Sequence, residues 1–154
     1  MDNIKKLIGI VAGLFCTLIM AWFCSFQLKI DFIWYNTLDK PAFLLSSAGM
    51  TVFVSVMYLF HILVIARLVT GKHFFPSMLF LAFVSIFSIL FVHSFFTWKN
   101  IYLAFVFSLL VFIVSLITQV RFFLKELRIS LYYLPVFIFN AYSIIVVSFI
   151  AFSN

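Results

Sequence analysis

The stretch that decides the fold is residues 100–120, NIYLAFVFSLLVFIVSLITQV, in which no side chain carries a charge. A helix rises about 1.5 Å per residue, so roughly 20 apolar residues cross the ~30 Å hydrocarbon core of a membrane. Backbone groups in lipid must find hydrogen bonds within their own segment, and an α-helix provides them. Residues 100–120 therefore predict a transmembrane helix.

Similar charge-free stretches lie on both sides of this one, at 7–28, 41–66, 73–98 and 129–154. Their apolar runs are continuous and show no period of two, which disfavours a β-barrel. We expect an all-α membrane protein, a bundle of five transmembrane helices. The whole chain, 1–154, is predicted to form a single transmembrane domain, with helices at about 7–28, 42–66, 74–97, 101–123 and 129–152.

The composition supports contact with membrane lipid. Hydrophobic residues make up 67% of the chain, and ten Lys or Arg with four Asp or Glu are the charged residues. So few charges cannot cover the surface of a water-soluble domain of this size. The net charge of +6 does not indicate nucleic-acid binding, because the basic residues flank apolar spans and form no stripe interleaved with polar residues.

The basic residues also predict the orientation of the chain. One side of the predicted bundle carries seven of them and the other side three; these are Lys5, Lys6, Arg67, Lys72, Arg121, Lys125 and Arg128 against Lys29, Lys40 and Lys99. Cytoplasmic loops of membrane proteins are enriched in Lys and Arg. We therefore expect a cytoplasmic N-terminus, with the first loop and the C-terminus on the opposite side.

Polar groups at membrane depth are few, and they form no recognisable catalytic or metal site. His61 and His93 do not predict a bis-histidine haem, because His61 lies near the inner end of its helix and His93 near the outer end of the next. The sequence contains no nucleophile elbow, phosphate loop, metal-ligand spacing or paired carboxylates. Gly9 and Gly13 form a GxxxG spacing, which leaves open internal helix packing or a homodimer interface.

The first loop is the unusual local feature, reading Trp34-Tyr35-Asn36-Thr37-Leu38-Asp39-Lys40-Pro41. Its aromatic rings fit an interfacial aromatic belt or a lid over a cavity between the helices. The loop resembles the W-Y-x-x-L-x-K-P signature of the TspO/MBR family, the tryptophan-rich sensory proteins and the translocator protein or peripheral-type benzodiazepine receptor. Positions in register after the loop are Met57, Tyr58, Phe95, Phe96, Ala104, Thr118, Pro135 and Asn154. The resemblance covers residues 34–154 and implies five transmembrane helices.

The resemblance also implies a ligand, since the family binds tetrapyrroles such as protoporphyrin IX, and some members bind sterols, in a pocket closed by the first loop. It assigns the pocket to Trp34, Tyr35, Lys40, Pro41, Phe43, Tyr58, Phe91, Phe95, Phe139 and Tyr142. A flat apolar macrocycle suits aromatic walls, and its carboxylates can meet Lys40 or Lys29 at the mouth. A porphyrin or haem-like tetrapyrrole is then a ligand, and no cofactor is required.

We expect a receptor or translocator and not an enzyme, although light-dependent porphyrin degradation is proposed for relatives. The family's tryptophan positions in later helices hold Val54, Phe91 and Phe139. This replacement leaves two alternatives open: a degenerate member that serves as a membrane scaffold or subunit without ligand, or a small carrier of a hydrophobic metabolite.

Overall fold

The computed structural model describes residues 2–28, 32–69 and 74–154, and all of its regular structure there is helical. Its helices are α1 (Asp2–Leu28), α2 (Phe32–Thr37), α3 (Ser47–Val69), α4 (Phe74–Phe96), α5 (Ile101–Lys125) and α6 (Leu127–Ser153). Within the described residues, four helical segments are long and apolar enough to cross a membrane: Ala48–Val69, Pro76–Phe96, Ile101–Lys125 and Leu127–Ser153. The prediction of a helical membrane protein is confirmed at this level. In α1 the apolar segment is shorter and spans Leu7–Phe23.

The outer faces of these helices carry large apolar side chains that are 42–64% exposed, among them Val52, Leu79, Ile113, Ile138 and Ile145. A contiguous apolar surface of this extent is unfavourable in water and favourable in lipid. The bundle therefore presents its sides to membrane lipid.

The second long helix begins later than the sequence pattern predicts. The prediction placed its start near 42, whereas α3 begins at Ser47. Pro41 fixes its own φ and restrains the residue before it, which favours a turn in the chain at this point. The hydroxyl of Ser46 then accepts a hydrogen bond from the Gly49 N–H at 3.2 Å, which is the geometry of a helix N-cap.

The long helices form a closed ring in the order α1–α3–α6–α5–α4. Close packing of α1 on α3 depends on the two glycines of the GxxxG spacing. A Cβ at Gly9 would lie 2.9 Å from the carbonyl oxygen of Ala66, and a Cβ at Gly13 would lie 3.0 Å from that of Ile62. The glycines thus serve internal packing of the bundle, the first of the two uses left open above.

A single residue, Glu126, joins α5 to α6 and makes the two helices antiparallel neighbours. Glu126 is extended, with φ −155° and ψ 103°, and its carboxylate accepts hydrogen bonds from Arg67 Nε at 2.8 Å and Nη2 at 2.6 Å. We call this end of the bundle the corner end. The opposite end, where the first loop lies, is the loop end.

Two apolar clusters fill the ring. The corner cluster consists of Met57, Val64, Ile65, Leu68, Leu81, Phe122, Ile129, Tyr133 and Val136. The loop cluster consists of Phe95, Ala104, Val146 and Ile150, and aromatic residues of the first loop pack against it. A stripe of mainly small residues lets α5 approach its neighbours closely; it comprises Ala104, Ser108, Val111, Ser115, Thr118 and Phe122.

Candidate functional site

The first loop folds back over the loop end of the bundle. Its short helix α2 ends where the Thr37 hydroxyl donates to the Trp34 carbonyl oxygen at 2.7 Å. A tight turn follows, in which the Leu44 N–H donates to the Pro41 carbonyl oxygen at 3.0 Å. These local bonds direct the aromatic side chains of α2 towards the ends of α4, α5 and α6.

Aromatic rings carry most of the contact between the loop and the bundle. The ring centroids of Trp34 and Phe95 are 5.3 Å apart, and those of Tyr35 and Phe95 are 6.2 Å apart, both in edge-to-face geometry. Phe91 extends the group at 6.2 Å from Phe95. The Lys40 ammonium lies over the Tyr35 ring, 4.4 Å from its centroid. Edge-to-face pairs are worth about 0.5–1.5 kcal/mol each beyond their area burial, so these rings hold the loop against the bundle.

The carboxamide of Asn154 ties the loop to the end of α6. The Asp39 N–H donates to Asn154 Oδ1 at 2.9 Å, and Asn154 Nδ2 donates to the Asp39 carbonyl oxygen at 3.1 Å. The same Nδ2 donates to the Ile150 carbonyl oxygen at 3.0 Å. One amide side chain therefore satisfies both backbone groups of a loop residue and an end carbonyl of its own helix.

A second polar tie lies further along the loop, where the Leu45 N–H donates to the Tyr142 hydroxyl at 2.9 Å. Tyr142 also meets Phe53 of α3 at 5.9 Å between ring centroids, and Phe53 meets Phe139 at 5.3 Å. These contacts connect the first loop to α3 and α6. The second tie thus anchors the part of the loop that leads into α3.

The ten residues that the resemblance assigns to a pocket fall into separate groups. Trp34, Tyr35, Phe91, Phe95 and Tyr142 meet in or against the loop cluster. Tyr58 and Phe139 pack instead against the corner cluster, deeper in the bundle.

The remaining three lie along the loop itself. Lys40 stacks on Tyr35, Pro41 is buried, and Phe43 is half exposed with its ring 6.4 Å from that of Phe149. Lys29, the other cation expected at the mouth, lies outside the described residues.

Sequence reasoning named Asn154 only as a position in register with the resemblance and gave no role to Phe53. In the structure Asn154 holds the loop, and Phe53 extends the aromatic contacts. An amide at the end of an apolar helix is a detectable signal. Its partner Asp39 lies 115 positions away, and no local pattern connects the two.

Burial changes the electrostatics of the loop at Tyr35. Partial burial, followed by the interaction with Tyr142, raises the pKa of Tyr35 above its ordinary value of 10.0. A neutral phenol is the form favoured against the Phe95 ring. Because the folded pKa is raised, this contribution to loop closure is complete below pH 10 and is lost as the pH rises through the folded pKa.

A shallow cavity of about 320 Å³ opens beside the loop, at the turn between α4 and α5. Its lining residues are Trp98, Lys99, Asn100, Ile101, Tyr102, Ala151 and Asn154, and none of the ten predicted pocket residues is among them. The side chains under the loop pack on one another.

His61 and His93 do not meet on a common site. His61 is buried in α3, whereas His93 lies at the end of α4 with its ring 4.6 Å from that of Trp98. In the described part of the chain, no three side chains of His, Cys, Asp or Glu are grouped to hold a metal ion. A polar network at membrane depth joins α5 to α6, where Ser115 Oγ lies 2.8 Å from the Tyr133 hydroxyl and accepts from Asn140 Nδ2 at 3.0 Å.

Comparison with known proteins adds no further identification. No protein-family model matches the chain, and no curated protein matches it.

Proposed function

We propose that the chain is a TspO/MBR-like integral membrane receptor or translocator that binds a tetrapyrrole or similar planar apolar ligand under its first loop. In this proposal α1 also crosses the membrane, which brings the number of transmembrane helices to five. Asp2–Leu28 is long enough for this, since it spans 27 residues, and it packs along α3. The N-terminus and the corner end face the cytoplasm, and the loop end faces the opposite side.

The observation that carries the proposal is the first loop packed over a cluster of aromatic rings. Trp34 and Tyr35 come from the loop, and Phe91 and Phe95 come from α4. Aromatic walls of this kind favour a flat macrocycle through offset stacking and burial of its faces. The site is closed in the free protein, so the ligand replaces ring-to-ring contacts with ring-to-ligand contacts.

The proposed recognition also needs a cation for the ligand carboxylates. Lys40 lies at the edge of the ring cluster and holds its ammonium over Tyr35. An ion pair in a partly desolvated mouth is stronger than a surface ion pair. Lys40 would leave the Tyr35 ring and pair with a propionate when the ligand is bound.

A scaffold without ligand is the second candidate function. It is favoured by the tight packing of the loop cluster and by the position of the cavity, which lies at the turn between α4 and α5 and not under the loop. In that case the first loop would be a permanent cap, and the protein would act through a partner in the membrane.

Titration of the purified protein with protoporphyrin IX in detergent tests the proposal, with the Soret absorption as the readout. We expect saturable, approximately equimolar binding that weakens by about tenfold in Trp34→Ala, which removes an aromatic contact and its buried area. Trp98→Ala is the matched control, because Trp98 lies at the cavity beside the loop, and it should bind as the native protein does. Uptake equal to that of empty micelles would contradict the proposal and favour the scaffold.

A further inference from the structure

The corner end carries a concentrated positive surface that the first loop does not touch. Arg121 and Lys125 lie near the end of α5, and Arg128 lies in the first turn of α6. We call these three residues the basic corner. They flank Glu126, where two membrane-crossing segments end and begin, so they lie at the depth of phospholipid headgroups.

The acidic residue of this region is already engaged. Glu126 accepts two hydrogen bonds from Arg67, which lies at the end of α3. Among the side chains that the structure describes, Asp39 is the other acidic one, and it belongs to the loop end. The positive charge of the basic corner is therefore not balanced by a nearby carboxylate within the described residues.

The three cations differ in how firmly they are held. The Arg121 guanidinium lies over the ring of Phe80 in α4, 4.5 Å from its centroid, which fixes it between two helices. Lys125 and Arg128 are exposed. One fixed cation and two adaptable cations can converge on an anionic group at the membrane surface.

Large apolar side chains lie directly beside the basic corner. Phe123 is 63% exposed, Leu124 is 76% exposed and Leu127 is 56% exposed. A soluble polyanion gains nothing from these side chains, whereas an amphiphile with an anionic head and an apolar tail satisfies both surfaces at once.

We infer that the basic corner binds the phosphate of anionic phospholipids in the adjoining leaflet, while the acyl chains cover Phe123, Leu124 and Leu127. Guanidinium and ammonium groups donate hydrogen bonds to phosphate oxygens, and the low local dielectric at the interface strengthens them. Among the residues described at the loop end there is no equivalent cluster, because Lys40 is stacked on Tyr35 and Lys99 lies at a separate turn.

Native mass spectrometry of the detergent-purified protein tests this inference, with equal amounts of phosphatidylglycerol and phosphatidylcholine added. The native protein should retain phosphatidylglycerol preferentially. Lys125→Gln and Arg128→Gln should each lower that preference by about fivefold, the effect of one basic residue near an anionic membrane surface. Lys99→Gln, the same loss of charge at the loop end, should leave the preference unchanged.

Three outcomes would overturn the inference. They are equal retention of the two lipids by the native protein, a preference that survives both corner substitutions, and an equal loss in Lys99→Gln. Inorganic phosphate serves as the remaining arm of the experiment. It should leave the lipid ratio unchanged, because it lacks the acyl chains; full displacement of phosphatidylglycerol by phosphate would assign the surface to a free anion.

Discussion

Replacement of Asn154 by Ala should loosen the first loop while leaving the bundle intact. The substitution removes both hydrogen bonds to the Asp39 backbone, at 2.9 and 3.1 Å, and the bond to the Ile150 carbonyl oxygen. A typical intramolecular hydrogen bond contributes a net of about 0.5–1.5 kcal/mol. Water can replace the bond to Ile150 at the helix end, so the two bonds to Asp39 set the effect at about 1–3 kcal/mol. The equilibrium for loop opening should then rise by roughly five- to 150-fold.

Hydrogen exchange of backbone amides, followed by mass spectrometry in detergent, measures this opening. Peptides that cover residues 38–46 should exchange faster in Asn154→Ala by that factor, including the Leu45 amide that donates to Tyr142. Asn100→Ala is the matched control, because Asn100 Oδ1 caps α5 by accepting from the Leu103 N–H at 3.0 Å. It should speed exchange at the start of α5 and not in the loop.

The reasoning fails if exchange in residues 38–46 is unchanged in Asn154→Ala. It also fails if Asn100→Ala speeds exchange in the loop by the same factor, because the effect would then be a general loosening of the loop end. If both variants exchange at the native rate throughout the chain, the rings of Trp34 and Tyr35 alone hold the loop.

Three further predictions concern the bundle. Gly13→Leu should lower the free energy of unfolding by about 1–3 kcal/mol, because even a Cβ at this position would lie 3.0 Å from a backbone oxygen of α3. Chemical unfolding of the detergent-solubilised protein measures this change, and an unchanged midpoint would exclude close packing of α1 on α3. A double-mutant cycle of Arg67→Ala and Glu126→Gln should give a coupling free energy below about 1 kcal/mol, because both side chains are partly exposed. The coupling should fall with added salt. A larger coupling that does not depend on salt would contradict this. Tyr133→Phe should lower the free energy of unfolding by about 0.5–2 kcal/mol, because it removes the 2.8 Å hydrogen bond between the Tyr133 hydroxyl and Ser115 Oγ. In a Ser115→Ala background the same substitution should be nearly neutral. Full additivity of the two substitutions would exclude that hydrogen bond.

The sequence predicts the elements of this fold better than their arrangement. The length of the charge-free run alone locates α5. A run of apolar residues long enough to cross a bilayer is predicted to be a helix without knowledge of its tertiary contacts. Counting spans also predicts the side of the bundle for each basic residue, and for Arg67 the structure agrees, because Arg67 binds Glu126 at the α5–α6 corner. The ring order does not follow, because α3 and α4 are consecutive in the chain yet pack mainly on other helices, α3 on α1 and α6 and α4 on α5 and α1.

The candidate site is predictable only in part for a related reason. Trp34 and Tyr35 are conspicuous because aromatic residues, a charged pair and Pro41 stand together between two spans. Their contact with Phe95 depends on how the loop folds back, and the tie to Asn154 joins residues 115 positions apart. Phe residues are so numerous in this chain, 24 in all, that composition cannot separate those under the loop from those that face lipid.

The most direct test of the account is to lock the first loop shut and to measure porphyrin exchange. In a background with Cys16→Ser and Cys24→Ser, the pair Asp39→Cys and Asn154→Cys is introduced at the contact between the loop and α6 and oxidised, and a mass shift verifies that the disulfide has closed. We predict that oxidation slows both association and dissociation of protoporphyrin IX, and that a reducing agent reverses the slowing, to rates at or above those of the native protein because the reduced pair lacks the Asn154 carboxamide. Identical rates in the oxidised and reduced protein would mean that the ligand does not enter under the first loop, and would contradict the proposed site.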